Sequence, residues 1–249
     1  MENGISIVVL TRNRLESLKR CIKSIDDNTT VEHEIIIVNN ASEDGTKQYL
    51  HTLDQKYNEH VDFKRPDCCD SHYRQSLKIV MRGVTMEKNY GVAGGRNQGF
   101  DLCRGEYILQ CDDDVIFHKG WDTTALKYIT EGDNVGIVGV QGSLIKTWLE
   151  YEVFQHNNTY VDVCTGFFFM MKNIGLRYDT SNYELFWEED SAICLDYKAL
   201  GYKIRVMPMV CTHASQRTEP VDWNRHNSHR EYLKNKWKDN LAVLRLGGN

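Results

Sequence analysis

A doubly wound α/β fold on a parallel sheet is predicted by three features of this chain. Short β-branched runs alternate with segments whose apolar residues recur at helical spacing, a pattern that demands crossover helices between parallel strands. The 249 residues suffice for one well-filled core, or a core with a small annex. Only three prolines occur, and no Ser/Gly-rich tract marks an interdomain linker.

The elements follow in order. Residues 5–10 (ISIVVL) form a buried strand, and Leu15, Leu18, Ile22 and Ile25 repeat at the spacing of a helix. Residues 34–38 (EIIIV) form a second strand that runs into Asn39-Asn40-Ala41-Ser42-Glu43-Asp44-Gly45, a stretch rich in turn and amino-cap residues. A helix bearing Tyr49, Leu50 and Leu53 comes next. Residues 57–83 break the alternation, being polar and mixed in charge, and are expected to be a surface excursion. The string Asp67-Cys68-Cys69-Asp70-Ser71-His72 within them would need other partners to hold a metal.

Residues 84–87 supply a third strand, 94–103 a helix and 106–111 (EYILQC) a fourth strand. Beyond them, 135–141 and 161–171 have strand character, separated by a polar stretch with Trp148. A helix is expected over 190–200, closed by Gly201, then a strand over 202–207. The last helix, 228–246, carries Tyr232, Leu233, Trp237, Leu241 and Leu244 as its apolar stripe, with Lys234, Lys236 and Lys238 on its polar side.

Composition narrows the class. Hydrophobic residues at 41% and charged residues at 26% suit a water-soluble globular protein. The net charge of −5 argues against a broad nucleic-acid face. The run at 5–10 is too short for a secretory signal, and the greasiest segment, 166–171, is strand-sized and spans no membrane. The eight cysteines are scattered and offer no CxxC pair, so reduced thiols and a cytoplasmic setting are expected.

Four strings carry chemistry. Asp112-Asp113-Asp114 directly follows the fourth strand, where an open α/β sheet presents ligand loops. Three adjacent carboxylates repel one another unless a cation or hydrogen-bond donors compensate, and a hard cation with a substrate's phosphates would do so. Thr11-Arg12-Asn13 and Asn39 to Ser42 close the first two strands with groups able to pair with a nucleobase edge. In Asn89-Tyr90-Gly91-Val92-Ala93-Gly94-Gly95-Arg96-Asn97-Gln98-Gly99, glycines permit close backbone approach, and Arg96 offers a positive fork. Phe186-Trp187-Glu188-Glu189-Asp190 sets three carboxylates beside two aromatics, where burial can raise a general base's pKa and Trp187 can carry a sugar ring.

In this order, SIVVLTRNR, EIIIVNNASEDGT, NYGVAGGRNQG, CDDDV, TGFFFM and FWEEDSAICLDYKALGYKI resemble the inverting nucleotide-sugar glycosyltransferases of family 2, over residues 4–215. The resemblance implies the GT-A fold: a Rossmann-like single domain, 1–249, with a mixed, mostly parallel sheet flanked by helices. It divides into a nucleotide-binding half (1–114), an acceptor-binding half (115–215) and a carboxy-terminal loop and helix (216–249).

The same resemblance assigns roles. Thr11, Arg12, Asn13, Asn39, Ser42, Asn89, Gly94, Arg96, Asn97, Asp112 and Asp113 would bind the nucleotide donor, a UDP-sugar. Asp112, Asp114 and His213 would hold Mn2+ or Mg2+. Asp190 would be the base, with Glu189 as its understudy, and Trp187 and Glu188 would face the acceptor, a glycan, lipid-linked or protein hydroxyl. No nucleic-acid partner and no transmembrane segment are implied, and peripheral contact with the inner membrane face stays open through the carboxy-terminal helix. Asn39-Asn40 stands where the family usually has Asp-Asn, so an amide oxygen would meet a uracil N3–H without the charge. Two other classes remain: a sugar nucleotidyltransferase, disfavoured by the glycine-free loop TRNRLES, and a non-catalytic nucleotide- or carbohydrate-binding module.

Overall fold

The computed structural model describes residues 4–58, 79–147, 150–155, 159–181, 188–214 and 223–237. Its first part alternates as expected: β1 (Ile5–Thr11), α1 (Leu15–Asn28), β2 (His33–Asn39), α2 (Thr46–Asn58), β3 (Ile79–Thr85), α3 (Gly91–Phe100) and β4 (Tyr107–Asp112). β2 is buried at every residue and β1 at all but one, which is why both are near-continuous apolar runs rather than alternating ones. The four strands pair in parallel in the order β3-β2-β1-β4.

The second part is more broken: β5 (Val115–Phe117), α4 (Trp121–Thr130), β6 (Val135–Gly139), β7 (Gln141–Thr147), β8 (Glu150–Gln155), β9 (Tyr160–Val161), β10 (Val163–Cys164), β11 (Phe168–Lys172), α5 (Glu189–Ala199), β12 (Lys203–Val206), β13 (Cys211–His213) and α6 (Trp223–Trp237). The large sheet continues as β4-β11-β6-β12-β9. β11 runs against both β4 and β6, while β6 and β12 run parallel to each other, so the sheet is mixed and mostly parallel. β10-β7-β8 and β13-β5 are separate small sheets.

Helices cover both faces. Leu18, Ile22 and Ile25 of α1 and Trp121 and Ile129 of α4 pack with Ile5, Ile7 and Val9 on one side. Phe100 of α3, Ile193 and Leu195 of α5, and Leu233 and Trp237 of α6 pack with Val8, Ile36 and Ile108 on the other. Burying an aliphatic side chain contributes about 1.5–3 kcal/mol, so the two layers together fix the sheet's carboxyl edge, where the site lies.

Several boundaries differ from expectation for local reasons. The expected strand 135–141 divides at Val140, because the chain leaves the large sheet for β7. The run 161–171 becomes β9, β10 and β11, since Val163–Cys164 pairs with β7 before the chain re-enters the large sheet. Residues 79–83 belong to β3 rather than to the excursion, and the helix expected at 94–103 begins at Gly91. Residues 57–58 end α2, and the rest of the excursion, 59–78, with the Cys68-Cys69 string, lies outside the described residues, as do Leu241 and Leu244. The six described cysteines are free thiols, and no described helix is long and apolar enough to cross a membrane.

Candidate active site

The aspartate triplet ends β4 and turns into β5. Thr11, at the end of β1, donates its hydroxyl hydrogen to Asp113 Oδ2 at 2.6 Å. Arg14, immediately before α1, places Nε 3.3 Å from Asp113 Oδ1 and Nη2 2.6 Å from Asp114 Oδ2. The short β13 pairs with β5, setting His213 opposite Val115 and its Nε2 3.2 Å from Asp114 Oδ1. The imidazole stacks on Phe167, with centroids 4.2 Å apart and planes 2° from parallel, so its orientation is fixed.

The triplet is thereby split. Burial pushes Asp113 up to about 7, against the pull of Thr11 and Arg14. Burial acts on Asp114 too, but the hydrogen bonds from His213 and Arg14 outweigh it and hold this carboxyl at about 2. Asp114 raises the pKa of His213 in return, against the effect of burial. Ligand atoms of Asp112, Asp114 and His213 all lie within 4.8 Å of one another. Asp114 Oδ1 is buried and, among the described residues, meets His213 Nε2 at 3.2 Å, which leaves it lone-pair capacity that a cation can use. Two carboxylates and an imidazole therefore fit a divalent ion of the Mn2+ or Mg2+ kind.

A second acidic triplet opens α5. Glu188 adopts φ 62°, a left-handed conformation that turns the chain into the helix. Its Oε1 accepts a hydrogen bond from Arg230 Nε of α6 at 2.7 Å. Asp190 Oδ2 accepts from the Gly166 N–H at 2.7 Å and Oδ1 from the Ser191 N–H at 2.8 Å. Glu189 Oε1 lies 3.4 Å from Arg96 Nη1, while its buried Oε2 has no hydrogen-bond partner among the described residues. Burial first raises the pKa values of Glu189 and Asp190 above the ordinary carboxylate range, helped by repulsion from Asp190 on Glu189 and from Glu188 on Asp190.

Arg96 joins the two triplets. It is 2% exposed, and its Nη2 donates to Asp112 Oδ1 at 2.9 Å and to the Gly166 carbonyl at 2.8 Å. Burial opposes its charge, but Tyr178 and the carboxylates of Asp112, Glu189 and Asp190 keep its pKa above the usual arginine value. A cavity of about 470 Å³ opens between the triplets, lined by Arg96, Asp112, Gly166, Glu189, Asp190 and Arg230 among others.

Other expected residues lie around this frame. Arg12 and Asn13 are exposed. The Asn13 N–H donates to Ser42 Oγ at 2.9 Å, and Asn13 Oδ1 accepts from the Glu43 N–H at 2.7 Å, latching the loops after β1 and β2 together. Asn39 is fully buried and accepts the Ser42 N–H at 2.9 Å. Asn89 Oδ1 accepts from Asn40 Nδ2 and from the Gly91 N–H, both at 2.9 Å, which caps α3. Asn97 exchanges hydrogen bonds of 2.9 and 2.8 Å with the Tyr178 backbone. None of Thr11, Asn39, Ser42, Asn89, Gly94 or Asn97 lines the cavity.

The glycines of α3 serve packing. A methyl at Gly95 would lie 2.5 Å from Leu10 Cδ1, and one at Gly99 2.5 Å from Val8 Cγ1, so the helix sits directly on β1. At Gly94 the nearest atom is Tyr90 Cβ, 2.9 Å away. Trp187, Trp148, Arg217 and the side chain of Arg225 lie outside the described residues.

Four contributors escaped sequence reasoning. Arg14 stands inside the TRNR string, yet only the fold shows that it turns toward the aspartates. Tyr178 donates its hydroxyl hydrogen to buried Gln110 Oε1, and Gln110 Nε2 donates to the Gly166 carbonyl at 2.9 Å. Arg230 reaches the site from the last described helix, with no motif around it.

The family model for glycosyl transferase family 2 matches residues 6–200. An uncharacterized glycosyltransferase of Bacillus subtilis, YwdF, is 32% identical over 131 residues, covering 53% of this chain and 40% of that protein. The chain thus spans well under two thirds of that relative's length. Among solved structures, the mannosyltransferase PcManGT from Pyrobaculum calidifontis, in complex with GDP-Man and Mn2+, superposes with a TM-score of 0.66 at 17% identity, covering 97% of this chain and 69% of the other. GalNAc-T7 with UDP, GalNAc and Mn2+ gives 0.69 at 12% identity, covering 95% and 49%. These likenesses show the fold to be that of the GT-A glycosyltransferases.

Proposed function

The chain belongs to glycosyl transferase family 2, and from that premise we propose that it moves one sugar from a nucleotide-diphosphate sugar to an acceptor hydroxyl, by single displacement with inversion. The observation that carries this reading is one cavity lined by both Asp112, which groups with Asp114 and His213 as possible ligands of a divalent ion, and Asp190, a carboxylate of raised pKa. A UDP-sugar is the first donor to test. The acceptor class is a glycan, lipid-linked or protein hydroxyl. Free thiols at all six described cysteines support a reducing, cytoplasmic setting.

Residues 1–114 form the donor half in this reading, 115–215 the acceptor half and 216–249 the closing loop and helix. Asp112, Asp114 and His213 would hold Mn2+ or Mg2+. When bound, that ion offsets negative charge developing on the departing diphosphate. Asp190 takes the proton of the attacking hydroxyl. Each of its oxygens already accepts one backbone N–H and keeps a lone pair for the acceptor. Glu189, drawn against Arg96, is the weaker candidate for that task. Glu188, Trp187 and Arg230 would meet the acceptor. Arg14 and Thr11 hold Asp113 and Asp114 in place. Asn97, Asn89 and Asn39 hold the loops that frame the donor.

Incubation with a panel of nucleotide sugars, with and without Mn2+, tests the reading. Metal-dependent release of a nucleoside diphosphate supports it. Exchange of pyrophosphate would indicate a nucleotidyltransferase instead, and binding without turnover a recognition module.

A further inference from the structure

The Gly166 peptide stands between the two triplets with both of its polar groups engaged. Its N–H donates to Asp190 Oδ2 at 2.7 Å. Its carbonyl accepts from Arg96 Nη2 at 2.8 Å and from Gln110 Nε2 at 2.9 Å. Gln110 is itself held by the Tyr178 hydroxyl, and all three side chains are at least 96% buried. The position admits no side chain without displacement: a methyl there would lie 3.0 Å from Arg96 Nη1 and 3.2 Å from Asp190 Oδ2.

We infer that Arg96 and the Gly166 peptide work as one positioning unit, which aims the Asp190 carboxylate at the acceptor and ties it to Asp112. The inference rests on the glycosyl-transfer reading above. Its physical basis is the planar guanidinium, whose one terminal nitrogen bridges a carboxylate and a carbonyl while the other faces Glu189. Lysine cannot reproduce that fork, because it offers a point charge on a flexible stem. Neither Arg96 nor Gly166 needs to touch the reacting atoms. They set the direction of the group that does.

Three variants test it, with Asp190→Asn as the reference. Gly166→Ala should lower kcat roughly 10-fold, since displacements well under 1 Å at a reacting group are costly. It should raise KM for the donor, and weaken the binding of UDP with Mn2+ measured by calorimetry, by less than Arg96→Lys does, because the guanidinium and its bond to Asp112 remain. Arg96→Lys should lower kcat roughly 100-fold and also weaken UDP binding in Mn2+, through Asp112. The double variant should be no slower than Arg96→Lys alone, because one unit can be broken only once. Full kcat in Gly166→Ala, or losses that multiply in the double variant, would overturn the inference.

Should Arg96→Lys fail to fold, Gly166→Ala and its crystal structure decide, with Asp190 Oδ2 expected to turn away from the residue 166 N–H. An unmoved carboxylate sinks the inference even if turnover cannot be measured. If the parent protein releases no nucleoside diphosphate from any donor, it is the glycosyl-transfer reading that fails. The structural prediction for Gly166→Ala then still stands to be checked.

Discussion

The two acidic triplets, Asp112-Asp113-Asp114 and Glu188-Glu189-Asp190, share a charge pattern and reach one cavity, the first through Asp112 and the second through all three members, yet the fold treats them oppositely. The first sits on a strand end and is met by Arg14, Thr11, Arg96 and His213, so its members separate into one carboxyl held at about 2 and another pushed up to about 7. The second opens a helix, where the macrodipole favours negative charge, but burial and crowding win and raise Glu189 and Asp190 together. Carboxylates of low pKa suit a permanent cation site. Carboxylates of raised pKa suit proton transfer. The difference comes from partners drawn from distant parts of the chain rather than from the triplets' own sequence.

The sharpest way to break this division is to exchange one member from each side. Asp190→Asn should cost roughly 10²- to 10⁴-fold in turnover while leaving UDP binding in Mn2+ intact; an active variant would place the base elsewhere. Asp114→Asn should do the reverse at the ground state, removing the Mn2+ dependence of UDP binding. Its loss in metal affinity should reach at least the roughly 10- to 100-fold that outer-shell changes produce. Calorimetry with and without Mn2+ reads it, and an unchanged titration would remove Asp114 from the metal site.

Arg14→Gln sharpens the comparison on the first side. It leaves two buried carboxylates with one partner fewer, so the metal-free protein should lose about 1–3 kcal/mol. Mn2+ should then raise the melting temperature of the variant more than that of the parent, because cation and guanidinium answer the same charge. Equal shifts would mean that the two do not compete.

The smallest effect is a pH dependence. Asp113 titrates at about 7 in the folded chain and at 3.8 in the reference state, so the folded state holds more protons and stability falls as pH rises through that window. Asp113→Asn should therefore gain on the parent between about pH 4 and 7 and show no gain below. Asp114 has the opposite sign: its contribution is present above 3.8 and disappears as pH falls toward 2. Unfolding curves of the parent and the two Asn variants across this range check both directions.

Much of this was legible in the sequence, and the exceptions share a cause. β1, β2 and β4 announce themselves because strands buried on both faces must be continuously apolar. The triplets stand out because adjacent like charges need an explanation. β5 and β13 span three residues each, too few for any periodicity, yet they deliver His213 to Asp114. The glycines of α3 suggest a ligand cradle by composition, whereas Gly95 and Gly99 meet Leu10 and Val8. Arg14 and Arg230 could not be singled out, since a lone arginine carries no signal until the fold turns it inward.

β11 runs opposite to both of its neighbours in the large sheet. This brings its entry, rather than its exit, beside the end of β4, and the Asp112 N–H donates to the Phe167 carbonyl at 3.0 Å. One extra residue ahead of Phe168 would shift the Gly166 peptide by about 3.3 Å along the strand and reverse the facing of the side chains beyond the insertion. At the other end, Ile174 is 37% exposed and Gly175 has open space around it. Length variation among related chains should therefore collect at 174–175 and avoid 165–168, so that one reversed strand sets where this chain can grow.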